Sequence, residues 1–259
     1  PRDGRLRAAL WALAAIGIAV YFALIEHHIF RRTPHIEPSA KTLRIVHWNM
    51  GPGSSVDVPN CIAAVRRLDG DITFITDPGG VQQNTLIKDW LGPDVSVPSL
   101  GTLAIFTRLP IISFRPLLAS DEMLAVVVQI DTTATLGRPM TVYMVDMPSD
   151  LRKPRMEMAK RFRAMLDGAK PPLPDLVVGD FNLTRGSASL KTMFPLLRHA
   201  YDQAGHGYAA SFHGEFPLWH IDQLLLGPNL RALDYQVVNT HYGRHWAQVA
   251  IIAPFTPMN

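Results

Sequence analysis

Cysteine is nearly absent. Cys61 stands alone among 259 residues, which excludes a disulfide framework and any cysteine-built metal cluster and leaves the redox compartment open. Charge is also scarce, at 18% against 47% hydrophobic residues; that balance is too apolar for disorder and ample for a sizeable core. The formal net charge of +3 suits an anionic substrate or a lipid surface and falls well short of a nucleic-acid-binding signature. Length alone allows one large α/β domain or two small ones. There is no internal repeat and no low-complexity segment. No His-Glu-x-x-His pair, Gly-x-Ser-x-Gly elbow or Gly-Lys-Ser/Thr loop occurs, which argues against a zinc hydrolase, a serine hydrolase and a nucleotide-binding P-loop.

What the chain does have is one long hydrophobic run. Residues 8–25 (AALWALAAIGIAVYFALI) carry no charge. At about 1.5 Å of rise per residue they make roughly 27 Å of helix, close to one hydrocarbon core. Trp11 and Tyr21 lie near its ends, where amphipathic rings prefer the interface. The competing reading is an exported signal peptide, but the run is longer than a usual signal core and no Ala-x-Ala-like site follows. The expectation is a single-pass anchor over residues 1–25. Arg2, Arg5 and Arg7 before the run nearly balance Arg31, Arg32 and Lys41 after it, so the charge rule scarcely orients it. A lone N-terminal anchor with a short tail usually places the larger domain outside the cytoplasm, and that is the placement expected here. The chain starts at Pro1 rather than Met, and a trimmed N-terminus is expected. Residues 26–41, with Pro34 and Pro38 and no apolar period, read as a tether, and His27, His28 and His35 as solvated linker.

From residue 42 to 259, apolar β-branched runs alternate with helical stretches. Strands are expected at Leu43–Trp48, Asp71–Thr76, Thr102–Thr107, Ile111–Leu118, Met123–Ile130, Met140–Val145, Leu176–Val178, Ile221–Leu226, Leu233–Val238 and Ala247–Ile252. Helices are expected at Val58–Leu68, Gln83–Leu91 and Arg155–Leu166, the last with Glu157 and Arg161 spaced for an i,i+4 pair. Lys153, Arg155, Lys160, Arg161 and Arg163 read as a solvated face, with phosphate contact as the sharper alternative. Strands partly in hairpins and partly joined by helices indicate an α/β fold of two sheets rather than one doubly wound sheet.

Several of these strands end in polar groups. In Leu176-Val177-Val178-Gly179-Asp180-Phe181-Asn182, period-two alternation puts Asp180 and Asn182 on one side and Phe181 on the other. A carboxylate there can take a proton from water and a neighbouring amide can donate to a phosphoryl oxygen; alone, the segment reads equally as an ordinary Asp turn. The pattern recurs. Ile45–Asn49 ends in Asn49, Asp71–Asp77 ends in Asp77, Asp222 opens the run to Leu226, and Arg244-His245 precedes the last strand. Five strand edges of this kind make one functional rim.

In order from about Thr42 to Ala253, this chain resembles the endonuclease/exonuclease/phosphatase superfamily, through Trp48-Asn49, Gly179-Asp180-Phe181-Asn182 and His220-Ile221-Asp222. The resemblance implies a four-layer sandwich of two mixed β-sheets flanked by helices, preceded here by one transmembrane helix, and Mg²⁺- or Mn²⁺-dependent cleavage of phosphoester bonds. It implies that Asn49 lies near metal and phosphate, that Asp77 takes the place of a metal-binding Glu, and that Asp180 activates the attacking water. Asn182 would hold the scissile phosphate, and Asp222 would pair with the catalytic His245.

Three positions depart from that pattern. Asp77 is one methylene shorter than Glu, a retraction of roughly one 1.5 Å bond. Asp146, at the end of Val142–Ser149, stands where the family has a catalytic His. Gly243-Arg244-His245 replaces a Ser-Asp-His, so Arg244 either clamps phosphate bidentately or fills the cation's place. Asp146 is accordingly read as substrate-facing or as a displaced metal ligand. His241, in Asn239-Thr240-His241, lies too close to His245 to fill the mid-chain His position and reads as a loop residue at the rim. Two functions follow from different classes: a membrane-anchored phosphoesterase acting on phospholipid headgroups or nucleic acid, and a catalytically inactive domain that binds a phosphate ligand or a protein. No obligate protein partner is evident.

Overall fold

Strands that are apolar along their whole length must be covered on both faces, and helices with an apolar stripe provide the cover. The computed structural model describes residues 2–32, 41–51, 57–92, 95–120 and 123–255. Its strands are β1 (Leu43–Asn49), β2 (Ile72–Thr76), β3 (Ser99–Leu100), β4 (Leu103–Thr107), β5 (Ile111–Ala119), β6 (Leu124–Ile130), β7 (Met140–Asp146), β8 (Leu176–Asp180), β9 (Arg198–His199), β10 (Asp222–Leu226), β11 (Leu230–Val238) and β12 (Ala247–Pro254). Its α-helices are α1 (Arg2–Tyr21), α2 (Val58–Leu68), α3 (Thr85–Leu91), α4 (Thr133–Leu136), α5 (Arg155–Ala169), α6 (Ala188–Met193) and α7 (Ala200–Ala204).

The strands form two six-stranded sheets, ordered β11-β12-β1-β2-β4-β3 and β5-β6-β7-β8-β10-β9. Each sheet has one parallel pair at its centre, β1 with β2 and β7 with β8, flanked by antiparallel neighbours. Alternation along the strands sorts their side chains. Leu43 and Ile45 of β1 meet Val142, Met144, Leu176, Val178 and Leu224 between the sheets, whereas Val46 and Trp48 face α2 and α3. On the other side Val145, Val177 and Leu225 lie against Met158, Phe162 and Leu166 of α5 and Leu190 and Met193 of α6. The result is four layers, helix–sheet–sheet–helix.

The helices start and stop for local reasons. Asp57 caps α2 by accepting the Asn60 N–H, Pro59 occupies its first turn, and Asp69 ends it in the left-handed conformation. Glu157 of α5 pairs with Lys160 at 3.1 Å. Helix α1 continues through a π-helical turn, Phe22–Glu26, and Gly4–Glu26 is long and apolar enough to cross a membrane by length and composition. From Arg5 to Tyr21 its side chains are exposed, Trp11 at 77%.

At the start of the stretch expected to be a solvated tether, Glu26, His27 and His28 pack on the body, while residues 29–32 are exposed. The His27 ring stacks on Tyr208 at 4.3 Å and the His28 ring on Tyr201 at 4.8 Å. Arg185 binds Glu26 at 3.0 Å, pairs with Asp202 and covers the Tyr201 ring. Aromatic stacking on partners far along the chain overrides the polar look of the segment. His35, Pro34 and Pro38 lie outside the described residues.

Candidate active site

A parallel pair carries both C-terminal ends to the same edge, and an antiparallel neighbour brings its N-terminal end there. Hence Asn49 closes β1, Asp77 follows β2, Asp146 closes β7, Asp180 closes β8, Asp222 opens β10 and His245 lies just before β12. Register sets Asp146, Asp180 and Asp222 side by side. The alternation that buries Ile45, Met144, Val178 and Leu224 between the sheets turns Asn49, Asp146, Asp180 and Asp222 the same way, toward one another.

Gly179 makes the close approach possible. Its φ is +145°, and a Cβ there would sit 1.8 Å from the Val145 carbonyl oxygen, so no other residue lets β7 and β8 lie together. Gly243, at φ +73°, plays the same part beside Met50, whose carbonyl oxygen a Cβ would meet at 2.8 Å.

Hydrogen bonds then fix the side chains. Asn49 Nδ2 donates to Asp180 Oδ2 at 2.9 Å, joining the two sheets, and Asn49 Oδ1 accepts the Gly51 N–H at 2.8 Å. Asp180 Oδ1 accepts the Asn182 N–H at 2.8 Å. Asn182 adopts φ +48° and donates through Nδ2 to the Met147 carbonyl at 2.7 Å, tying the loops after β7 and β8 together. His245 Nδ1 lies 2.7 Å from Asp222 Oδ2, which also accepts the Ser211 hydroxyl at 2.5 Å. Trp48 Nε1 donates to the His245 carbonyl at 2.9 Å. Thr102 Oγ1 donates to Asp146 Oδ2 at 2.5 Å. Asp77 stands at φ +49°, a left-handed position that Asp tolerates better than longer side chains, and its N–H donates to the Thr102 carbonyl at 2.8 Å.

Asn49, Asp77, Thr102, Asp146, Asp180, Asn182 and His245 line one cleft of about 370 Å³, together with Gly51, Arg244, Phe212 and the Met147–Ser149 turn. Seven of the eight residues singled out from the sequence line it, and Asp222 stands directly behind His245, 1% exposed. His241 is not among the lining residues. Thr102, Ser211, Gly51 and Phe212 were not singled out from the sequence. Thr and Ser hydroxyls in loops carry no pattern of their own, and only the register beside Asp146 and Asp222 gives them a role.

The carboxyl groups of Asp77, Asp146, Asp180 and Asp222 crowd around the imidazole of His245. Burial pushes Asp146 up to about 6; the Thr102 hydroxyl opposes this, and Asp77 and Asp222 add to it. Burial also raises Asp77, against the pull of His245, and raises Asp180 strongly, with Asp222 reinforcing it. For the Asp222–His245 pair, burial disfavours both charges, yet their mutual attraction prevails: Asp222 is held ionised and His245 is raised above an ordinary His.

Donor atoms of Asp180, Asp222 and His245 lie within 4.8 Å of one another. Asp222 and His245 engage each other through Oδ2, while Asp222 Oδ1 is buried without a hydrogen-bond partner; among the residues that line the cleft, Asp77, Asp146, Asp180 and Asn49 supply the candidate oxygen ligands. An all-oxygen set with raised carboxylates fits a hard divalent cation. Arg244 lines the same cleft. Its side chain is exposed, its stem lies 3.1 Å from where a Gly51 Cβ would stand, and among the described residues no ion pair joins it to Asp77, Asp146 or Asp180.

Solved structures share this architecture. An endonuclease/exonuclease/phosphatase family protein from Bacteroides thetaiotaomicron superposes with TM-score 0.61 at 15% identity, covering 86% of this chain and 100% of that one. Mannosyl-6-phosphatase Bt3783 of the same organism gives 0.61 at 16% identity, over 83% and 100%. Humanized D. rerio TDP2 gives 0.59 at 13%, over 83% and 99%. At these identities the likeness is one of fold. Curated protein sequences offer no match to the chain. The family model for the Endonuclease/Exonuclease/phosphatase family matches residues 51–241, and with the two-sheet sandwich and its rim of Asn, Asp and His this chain belongs to that family.

Proposed function

We propose that this chain is a membrane-anchored phosphoesterase that hydrolyses phosphodiester or phosphomonoester bonds with a divalent cation, Mg²⁺ or Mn²⁺. The observation that carries the reading is the convergence of Asn49, Asp180 and the Asp222–His245 pair across the two sheets into one cleft. Family membership supports a phosphoester substrate, and two structural neighbours are a mannosyl-6-phosphatase and TDP2.

Asp77, Asp146 and Asn49 would hold the cation, which when bound supplies charge neutralisation and polarises the phosphoryl group. The chain's own residues do the rest. Asp180, raised by burial and gripped by Asn49 and Asn182, orients water for in-line attack and accepts its proton. His245, charged because Asp222 holds Nδ1, presents Nε2 to an equatorial phosphoryl oxygen. Arg244, exposed at the rim, clamps a phosphate oxygen. Among the described residues no ion pair joins Arg244 to the carboxylates, which favours a cation there over a metal-free binding domain.

Replacing His245 by Ala should lower kcat/KM on a soluble phosphodiester by about a hundredfold to ten-thousandfold in protein shown to be folded, and should also lower Tm, because Asp222 is left buried without its partner. An active His245→Ala variant at the wild-type rate would overturn the assignment.

A further inference from the structure

A short hairpin connects the base of α1 to the catalytic histidine. Its stem is Phe212 and Trp219, with the Leu218 and Trp219 N–H groups donating to the Phe212 carbonyl at 2.7 and 2.8 Å. The stem is bolted to the site. Phe212 bridges to His245, their rings lie 4.7 Å apart, and the Gly214 N–H donates to the Arg244 carbonyl at 2.8 Å. The tip is tied to the segment that follows α1: the Tyr208 hydroxyl donates to the Pro217 carbonyl, and the Tyr208 ring stacks on His27. His27 is the residue after the apolar span Gly4–Glu26.

Tip and juxtaposed segment both expose large apolar side chains. Phe216 is 82% exposed, Leu218 69%, Trp219 54%, and Phe30 74%. Arg31 and Arg32 follow, both exposed. Apolar rings beside cations are what an interfacial element presents to a bilayer with anionic headgroups. An ordinary surface loop does not need them, and a wholly aqueous tip would leave this patch uncovered.

We infer that the Phe212–Trp219 hairpin docks into the headgroup region of the membrane, so that the cleft acts on the phosphoester of a lipid at that surface. This rests on the reading of α1 as an anchor and of the cleft as a phosphoesterase, and it deepens both: His27 and Tyr208 set the height of the hairpin, and Phe212 transmits it to His245. Continuity with α1 fixes the occupant as the bilayer into which α1 inserts.

The test uses the full chain reconstituted in phosphatidylcholine/phosphatidylglycerol vesicles. An environment-sensitive fluorophore is placed by Phe216→Cys, on a Cys61→Ala background. The same label at Leu173→Cys, 83% exposed and beyond the opposite end of β8, is the control. Blue-shifted emission, quenched by lipids carrying a shallow acyl-chain quencher, is expected at 216 and not at 173; an aqueous signal at 216 would overturn the inference. This readout needs no turnover, so it stands apart from the catalytic reading. In the second arm, a Phe216→Ser/Leu218→Ser variant should lose roughly tenfold or more on vesicle-borne phospholipid while keeping its rate on a soluble diester. Equal loss on both substrates, or none on lipid, would count against docking.

Discussion

At the scale of single residues, Asp146 is the most informative position. Its carboxyl is held at about 6, above the unfolded value of about 3.9, so the folded state binds its proton more tightly than the unfolded state does. The sign follows. The penalty for ionising it sets in as pH rises from about 4, is complete above about 6, and is fully present at neutral pH. Asp146→Asn should therefore stabilise the metal-free protein at pH 7 by about 1–2 kcal/mol, an advantage that fades toward pH 4. The same change should weaken the rise in Tm that Mg²⁺ or Mn²⁺ produces. Calorimetry with and without the cation checks both. Gly179 is the complementary case. Gly179→Ala drives a methyl into the Val145 carbonyl and should cost at least about 3 kcal/mol, by parting β7 from β8; urea unfolding measures it. The Gly-Asp-Phe-Asn motif is visible in the sequence, but the reason for its glycine is not, because Val145 lies on another strand.

Among the elements, those with a full period were legible. The alternation of β1, β8 and β10 and the apolar stripe of α2 predict elements within a few residues of those observed, because burial on one or both faces writes itself into local spacing. The two-residue strands β3 and β9 and the short α4, α6 and α7 are not legible, since fewer than two turns or pleats carry no period. The segment after α1 is the larger surprise. Its polar residues gave no sign of packing, and its partners, Tyr201, Tyr208 and Arg185, lie more than a hundred residues away. Burial lowers both His27 and His28 below an ordinary His, with Glu26 opposing this at His27. Each is neutral when docked, and His27 Nδ1 accepts the Ala209 N–H at 3.2 Å. The dock is thus at full strength above about pH 6.5, the free histidine value, and weakens as pH falls below it toward the depressed bound values. Hydrogen exchange at residues 26–31 should be slow at pH 7.5 and faster at pH 5, after correction for the intrinsic rate; equal protection would speak against it.

Over the whole molecule, two sheets with matching parallel centres place the ends of six strands on one rim, and that topology turns residues scattered from Asn49 to His245 into a single cleft. Motif order was enough to select them, and the fold explains why they meet. What the sequence left open, whether Arg244 replaces a cation, depends on where one flexible side chain points; that side chain is exposed and lines the cleft beside Asp77, Asp146 and Asp180. The proposed chemistry rests on the carboxylates of that cleft holding a cation. The measurement that bears on this most directly is hydrolysis of bis(p-nitrophenyl) phosphate by the detergent-solubilised full chain, in Mg²⁺, Mn²⁺ or EDTA, alongside Asp180→Ala, with thermal unfolding recorded for both proteins. Turnover that requires the cation and falls by about a thousandfold in the folded variant is the predicted result. Absence of turnover with either cation from a folded wild-type chain, or turnover undiminished in EDTA, would contradict the account.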